Sequence, residues 1–182
     1  MFIFKKASDL EKYLNTQRQQ NKTIGFAPTM GALHAGHISL MDASKAQNDL
    51  TVCSIFVNPT QFNDKADLVK YPRTEGVDIE LLAAAQCDVL FLPSVSEIYP
   101  NGTDWVMPFD FGSLTEVMEG KHRPGHFEGM VQVVKRLLDI TQPDHLYMGQ
   151  KDFQQQSIIQ ALLKQTASKT QLVRCPILHH FG

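Results

Sequence analysis

Short apolar runs alternate along this chain with longer segments in which apolar residues recur at helical spacing. The runs predict buried strands at residues 24–28, 50–57, 89–93, 144–148 and 171–178. The helical spacing predicts helices at residues 8–20, from about 37 onward, and at 74–85, 126–140 and 153–166. The first helix is expected to open on a capping box at Ser8–Glu11, and residues 99–110 to form turns or short strands.

Strands that alternate with helices indicate a parallel sheet with crossover helices, which is a Rossmann-like α/β fold. Ligands of such folds bind beyond the carboxyl ends of the strands. Polar motifs follow three of the predicted strands, at residues 34–37, 58–61 and 149–152. We therefore expect these three motifs to converge at one edge of the sheet.

Length, composition and charge indicate a globular protein and argue against some classes of partner. The chain has 182 residues, 43% of them hydrophobic, which suits one large domain with a real core. A formal net charge of −2 argues against a general nucleic-acid-binding surface, and we expect no nucleic-acid or membrane partner. Cys53, Cys87 and Cys175 each lie in or beside an apolar run, so we expect buried free thiols and a cytoplasmic location.

The most specific local signal is His34-Ala35-Gly36-His37, which lies between a predicted strand and a predicted helix. A helix N-terminus offers unpaired N–H groups and partial positive charge, and imidazoles at this spacing can face the same phosphate. The setting favours nucleotide phosphate binding. The alternatives are a pair of surface histidines at a helix start, or a zinc site, which would need a third ligand nearby.

Six ordered sequence blocks carry a wider resemblance. They cover residues 28–37, 54–62, 71–74, 97–102, 119–127 and 149–155. Together they resemble the pantothenate synthetase (pantoate–β-alanine ligase) family of the H-x-G-H nucleotidyltransferase superfamily. The resemblance implies that pantoate's carboxylate attacks the α-phosphate of ATP, that pyrophosphate leaves, and that β-alanine then displaces AMP from the acyl-adenylate.

The same resemblance implies the partners. The substrates are ATP, pantoate and β-alanine, and the family tends to form homodimers. Mg²⁺ is expected to be held by phosphates and water without a dedicated protein site, with Asp78 a candidate for its outer shell.

Roles are carried over residue by residue from the matching blocks. His37, His34 and Lys151 are the expected catalytic residues, with His37 assisting the leaving group and Lys151 acting as a point charge on the phosphates. The expected ATP-binding residues are Met30, Gly31, Ala32, Leu33, His34, Ala35, Gly36, His37, Gly149, Gln150, Lys151, Asp152 and Leu178. Gln61 and Gln155 are expected to bind pantoate, and Gln61 also β-alanine.

Some positions in the matching blocks keep two interpretations open. Asn58, Arg123 and His126 either contact the substrates or support loop structure. Asp152 matches a ribose-binding position and is also a candidate N-cap of the helix that follows. Residues 62–70 are polar and are a candidate mobile cover of the site.

The resemblance weakens after residue 178. The family continues with an Arg, a Ser-Ser-Arg-Asn phosphate clamp and a C-terminal lid domain, whereas this sequence reads His-His-Phe-Gly at 179–182. We therefore expect a Rossmann-like ATP- and pantoate-binding domain at residues 1–178, a divergent tail at 179–182, no lid domain, and impaired amide synthesis.

Two alternative functions stay open at this point. One is another H-x-G-H nucleotidyltransferase, against which the Gln61 block and the 151–155 block argue. The other is a non-catalytic domain that binds ATP or pantoate.

Overall fold

A parallel sheet forms the centre of the molecule in the computed structural model, which describes residues 1–150 and 153–176. Within these residues the strands are β1 (Phe2–Phe4), β2 (Ile24–Thr29), β3 (Leu50–Ile55), β4 (Val89–Phe91), β5 (His145–Gly149) and β6 (Gln171–Cys175). Their order across the sheet is β1-β4-β3-β2-β5-β6, and every neighbouring pair is parallel. The predicted α/β class is confirmed.

Helices cover both faces of this sheet. They are α1 (Ala7–Gln19), α2 (Ala35–Gln47), α3 (Lys65–Lys70), α4 (Glu75–Ala84), α5 (Val95–Ile98), α6 (Glu119–His122), α7 (His126–Thr141) and α8 (Phe153–Gln165). Short 3₁₀ turns occupy Pro59–Gln61 and Gly112–Thr115. None of the helices in the part of the chain that the structure describes is long and apolar enough to cross a membrane.

Alternate residues along the central strands pack into two separate hydrophobic cores, one on each face of the sheet. Phe26, Val52 and Phe91 face the layer formed by α1, α7 and α8. Ala27 and Cys53, on the opposite face, pack with Met41 of α2 and Leu82 of α4. This is the pattern of a central sheet buried on both sides, which is why its strands read as continuous apolar runs.

All three cysteines are buried free thiols, as predicted. Burial is the largest cause of the raised pKa of each thiol, and the pKa of Cys87 reaches about 11. Because a thiolate is the reactive form of cysteine, these residues are packing groups.

One local prediction is wrong. The capping box at Ser8–Glu11 does not form, because α1 begins one residue earlier and the N–H of Ala7 donates to the Glu97 carboxylate at 2.9 Å. Residues 99–110 form turns and irregular backbone, one of the two forms predicted, and Trp105, Met107 and Phe109 of this segment lie against the core.

The chain reverses its direction of travel across the sheet beside β2. From β2 the chain moves through β3 to β4 on one side, and later returns to place β5 on the other side of β2. In open α/β sheets such a switch point creates a crevice at the carboxyl ends of the strands. The loops after β2 and β5 therefore face one another across this crevice.

Helix α7 approaches the 3₁₀ turn after β3 very closely at Gly129. A Cβ placed on Gly129 would lie 2.3 Å from the carbonyl oxygen of Thr60 and 2.7 Å from the Cα of Gln61. Only glycine allows this approach, which fixes the turn that carries Gln61 against the core.

We predict that Gly129→Ala lowers the free energy of unfolding by about 1–3 kcal/mol, because backbone must move to admit the methyl group. Gly76→Ala is the matched control, since Gly76 lies in α4 and a Cβ at that position would meet no atom within 4 Å. The control should be neutral or slightly stabilising. Urea denaturation of both variants measures the difference, and equal stabilities would contradict the close-approach argument.

Candidate functional site

Two histidines cap helix α2 at the carboxyl end of β2. His34 is the N-cap residue, and its Nδ1 accepts the backbone N–H of Gly36 at 3.0 Å. His37, in the first turn, accepts the backbone N–H of His34 on its own Nδ1 at 3.2 Å. The ring centroids are 4.1 Å apart. Because each Nδ1 accepts a hydrogen bond, each neutral ring carries its proton on Nε2, where it can donate to a ligand.

The charge state of His37 follows from its surroundings. Its pKa is lowered to about 4, chiefly by burial and to a smaller extent by the neighbouring His34, while Asp78 opposes both effects. The ring is therefore neutral at pH 7. It can hydrogen-bond to a phosphate oxygen without carrying a positive charge, and an arriving anion would raise its pKa.

The loop between β2 and α2 has an unusual backbone. Gly31 and Ala32 have φ values of +81° and +50°. The N–H groups of Ala32 and Leu33 donate to the Asp78 carboxylate at 3.0 and 2.9 Å. These two amides of the predicted ATP-binding loop are thus directed at Asp78, so that any contact with a nucleotide must come from other atoms of these residues.

Gln61 lies beside this loop, as predicted from the convergence of motifs. Its Nε2 is 3.4 Å from the sulfur of Met30, and its Oε1 accepts Nδ2 of Asn58 at 3.0 Å. The bond from Asn58 orients the Gln61 amide with its NH₂ group toward the Met30 loop. Half-buried Gln61 therefore presents a donor at the carboxyl edge of the sheet.

Asn58 is 1% exposed, and its amide is occupied by protein partners. Besides Gln61, its Nδ2 donates to the carbonyl of Gly129 at 3.0 Å, and its Oδ1 accepts the hydroxyl of Tyr99 at 2.7 Å. Of the two interpretations left open by the sequence, these contacts favour loop structure. Tyr99 was not identified from the sequence as part of the site.

His126 and Arg123 differ in their surroundings. His126 is buried, its ring Nδ1 lies 2.9 Å from the carbonyl oxygen of Gln61, and burial is the largest cause of its lowered pKa. It supports the turn that carries Gln61. Arg123 is exposed at the end of α6, in a position that leaves it accessible to a ligand.

The third motif follows β5. Gly149 is the last residue of β5, with open space where a Cβ would point, and the N–H of Gln150 donates to the carbonyl of Cys175 at 2.8 Å. Gln155 is half-buried in the first turn of α8. Its neighbours are engaged elsewhere, since Gln154 donates to Leu114 and Gln156 to Gly149. Lys151, Asp152 and Leu178 lie outside the described residues.

A cleft of about 620 Å³ is lined by Met30 and Gly31 of the loop and by Asp78, and neither His34 nor His37 is among its lining residues. It was not predicted from the sequence, because its walls come from segments far apart in the chain. They include Lys5, Lys6, Ile55, Arg73, Leu92 and Glu97. The cleft and the histidine pair share the loop as a common wall.

The described residues do not form a protein-built metal site. Residues 1–150 and 153–176 contain no group of three or more His, Cys, Asp or Glu side chains that could hold an ion. Asp78 is 1% exposed and already accepts the two loop amides and the hydroxyl of Thr74 at 3.2 Å. With its oxygens occupied by these donors, Asp78 does not fit the outer-shell role considered from the sequence.

Comparison with known proteins gives one consistent result. A family model described as Pantoate-beta-alanine ligase matches residues 2–180. Pantothenate synthetases from Porphyromonas gingivalis and Flavobacterium psychrophilum are 50% and 49% identical over 98% of this chain, which spans 63% of each of them.

Solved structures agree with these sequence relatives. Pantoate-beta-alanine ligase from Francisella tularensis, complexed with β-γ ATP and β-alanine, is 44% identical with a TM-score of 0.94 over 100% of this chain and 69% of its own. Pantothenate synthetase from Thermus thermophilus is 36% identical with a TM-score of 0.90, over 99% of this chain and 63% of its own.

The lowered pKa of His37 predicts a pH dependence of stability. The unfolded chain protonates this ring near pH 6.5, and the folded chain only near pH 4. The unfolded state therefore binds more protons between these values, so His37's contribution to stability is complete above about pH 6.5 and falls as the pH drops toward 4.

Urea denaturation between pH 4 and 7 should thus show a steeper pH slope for the wild type than for His37→Gln. Comparing the two removes the similar contribution of His126. Identical slopes, or an NMR titration of His37 with its midpoint at pH 6.5 or above, would contradict the assignment.

Proposed function

The chain belongs to the pantoate–β-alanine ligase family, and we propose that residues 1–178 form the ATP- and pantoate-binding domain of an enzyme that joins pantoate to β-alanine. The cap that His34 and His37 form at the start of α2 is the observation that carries the proposal. It presents two neutral Nε2–H donors at a helix N-terminus. The loop at residues 31–33 connects this cap to Met30, which contacts the Gln61 amide. An anion and a polar organic acid can be aligned side by side there.

The proposed reaction has two steps. A carboxylate oxygen of pantoate attacks the α-phosphorus of ATP, and the bond to the β-phosphate oxygen breaks to release pyrophosphate. The amine of β-alanine then attacks the carbonyl carbon of the pantoyl-adenylate, loses a proton, and displaces AMP to give pantothenate. Both steps depend on alignment and on stabilising developing negative charge, since no covalent bond to the protein is needed.

His34 and His37 would donate from Nε2 to phosphate oxygens, supported by the partial positive charge of the α2 N-terminus. Helix α2 carries no acidic side chain in its own first turn to offset that charge. Donors aimed at the leaving pyrophosphate gain strength as negative charge accumulates there. His37, the more buried ring, is our candidate for assisting departure.

Gln61 would donate from Nε2 to pantoate and later to β-alanine. A neutral amide orients the substrate without reducing the nucleophilicity of its carboxylate, as a cation would. Gln155, in the first turn of α8, is proposed as the second pantoate ligand. Lys151 and Asp152 stay predictions for phosphate and ribose contact, as does Leu178 for ATP.

The co-substrates follow from the relatives. The Francisella ligase was solved with β-γ ATP and β-alanine, which supports these two as substrates of this chain. Mg²⁺ is proposed to enter bound to the triphosphate, because phosphate oxygens and water are its preferred ligands. A homodimer and a cytoplasmic location are proposed from the family resemblance. Light scattering on the purified chain measures the oligomeric state.

We predict that His37→Ala reduces pantoate-dependent pyrophosphate release by about 100-fold, the usual cost of removing one preorganised donor. His145→Gln is the matched control. His145 lies at the amino end of β5, at the end of the strand opposite the candidate site, and its ring nitrogen lies 2.7 Å from the side-chain oxygen of Asn48. The control should change thermal stability more than pyrophosphate release. Undiminished release by a folded His37→Ala would remove His37 from the reaction.

A second prediction concerns Gln61→Glu. A carboxylate at this position repels pantoate, so the KM for pantoate should rise at least about tenfold, whereas ATP affinity by calorimetry should hardly change. Gln160→Glu adds the same charge at an exposed position of α8 and serves as the control. A pantoate KM that stays at the wild-type value would place pantoate elsewhere.

A further inference from the structure

Asp78 is a buried carboxylate that the proposed reaction does not use directly. It lies near the start of α4 and is 1% exposed. The one salt bridge among the described residues joins Lys135 to Asp139, far from it in sequence, so Asp78 has no cationic partner in the described chain. A buried charge without an opposite charge is retained only where hydrogen bonds stabilise it.

The hydrogen bonds that stabilise Asp78 come from the loop at residues 31–33 and from Thr74. Oδ2 accepts the N–H of Ala32, and Oδ1 accepts the N–H of Leu33 and the hydroxyl of Thr74. Bonds from backbone amides to a carboxylate are stronger than those to a neutral acceptor. The carboxylate thus joins α4 to consecutive amides of a loop 45 or 46 residues away in sequence.

The loop needs such support because its backbone is unfavourable. Ala32 has a φ of +50°, which residues with a Cβ rarely adopt unless surrounding contacts impose it. Packing is close as well, since a Cβ on Gly31 would lie 3.0 Å from Oδ2 of Asp78 and 3.1 Å from Cγ2 of Ile55. The loop therefore packs directly against the Asp78 carboxylate.

The contact between Asp78 and the loop matters because groups of the candidate site lie at both ends of the loop. Met30 precedes it and touches Gln61, and His34 follows it and donates its backbone N–H to Nδ1 of His37. A change in the loop would move the candidate pantoate group and the candidate phosphate groups relative to one another. Misplacement of about 1 Å is enough to slow an alignment-dependent reaction substantially.

We propose that Asp78 is a positioning residue: its carboxylate holds residues 31–33 in the conformation that sets Met30 and the His34–His37 pair at their working separation. The structural part of this proposal stands on the contacts above, and its catalytic part rests on the proposed function. On this proposal Asp78, although it also lines the cleft, acts through the loop and not by contact with a substrate. Its effect should therefore appear in kcat more than in the KM for ATP.

The test is Asp78→Asn in the full chain. Asparagine keeps the shape but turns one acceptor into an NH₂ group, which faces a loop N–H. Amide hydrogen exchange by NMR should become at least about tenfold faster at Ala32 and Leu33, the factor expected for one lost hydrogen bond of this kind, and stay unchanged at Val52 and Leu90 of the sheet. Glu75→Gln, an exposed carboxylate of the same helix, should leave all four amides unchanged.

The kinetic arm measures pantoate-dependent pyrophosphate release. We expect kcat to fall at least about tenfold while the KM for ATP changes less than about threefold. Unchanged exchange at Ala32 and Leu33 in folded Asp78→Asn would overturn the proposal. So would an ATP KM that rises in step with the fall in kcat, which would indicate a ligand contact instead.

A second variant covers the case in which Asp78→Asn does not fold. Thr74→Val removes one of the three donors and leaves both loop amides in place, so exchange at Ala32 and Leu33 should rise about two- to fivefold. No change in that variant would count against the proposal. If the wild type releases no pyrophosphate, the proposed function fails, and the exchange measurements still decide the role of Asp78 in the loop.

Discussion

The pairing of β2 with β3 on one side and β5 on the other is the constraint on which the rest of the molecule depends. This strand forms the switch point, so every group of the candidate site is placed relative to its carboxyl end. Side chains reinforce both ladders: Asp144 accepts the N–H of Ile24 at 2.7 Å, and Thr29 donates to the carbonyl of Ser54 at 2.8 Å. Helix α2 follows β2 directly in the chain, so the position of β2 determines where the helix begins. The histidine cap of α2 therefore lies at the crevice.

The electrostatic character of the site follows from that placement. Under the proposed function, the N-terminus of α2 would bind an anion through backbone polarity and neutral imidazoles rather than through lysine or arginine. Neutral donors bind a ground-state phosphate less strongly than cations do, and they gain most where charge increases during the reaction. Burial of His37 is thus consistent with a site that favours the departing pyrophosphate over the bound nucleotide.

The sequence predicted the elements whose formation depends on neighbouring residues in the chain, above all the buried strands. The apolar runs located β2 to β6, and for β2 to β5 the reason is that strands buried on both faces cannot be polar, whereas β6 is an edge strand with Gln171 and Arg174 exposed. They missed β1, a three-residue edge strand whose Phe2 is 62% exposed. The capping box at Ser8 failed because Glu97, distant in sequence, satisfies the helix end instead. Asp78 and Tyr99 were likewise beyond reach as supports of the site, since their partners are about 40 or more residues away in the chain.

The hydrogen bond from Asn58 to Gln61 has a consequence for the chemistry of ligands. With its carbonyl oxygen held by Asn58, Gln61 can offer only hydrogens toward the Met30 loop. A ligand group seated against this NH₂ group must be an acceptor, such as a carboxylate, a hydroxyl oxygen or a sulfonyl, and an ammonium group would find no acceptor on Nε2. Inhibitor chemistry directed at this position should therefore place oxygen acceptors against Nε2 of Gln61.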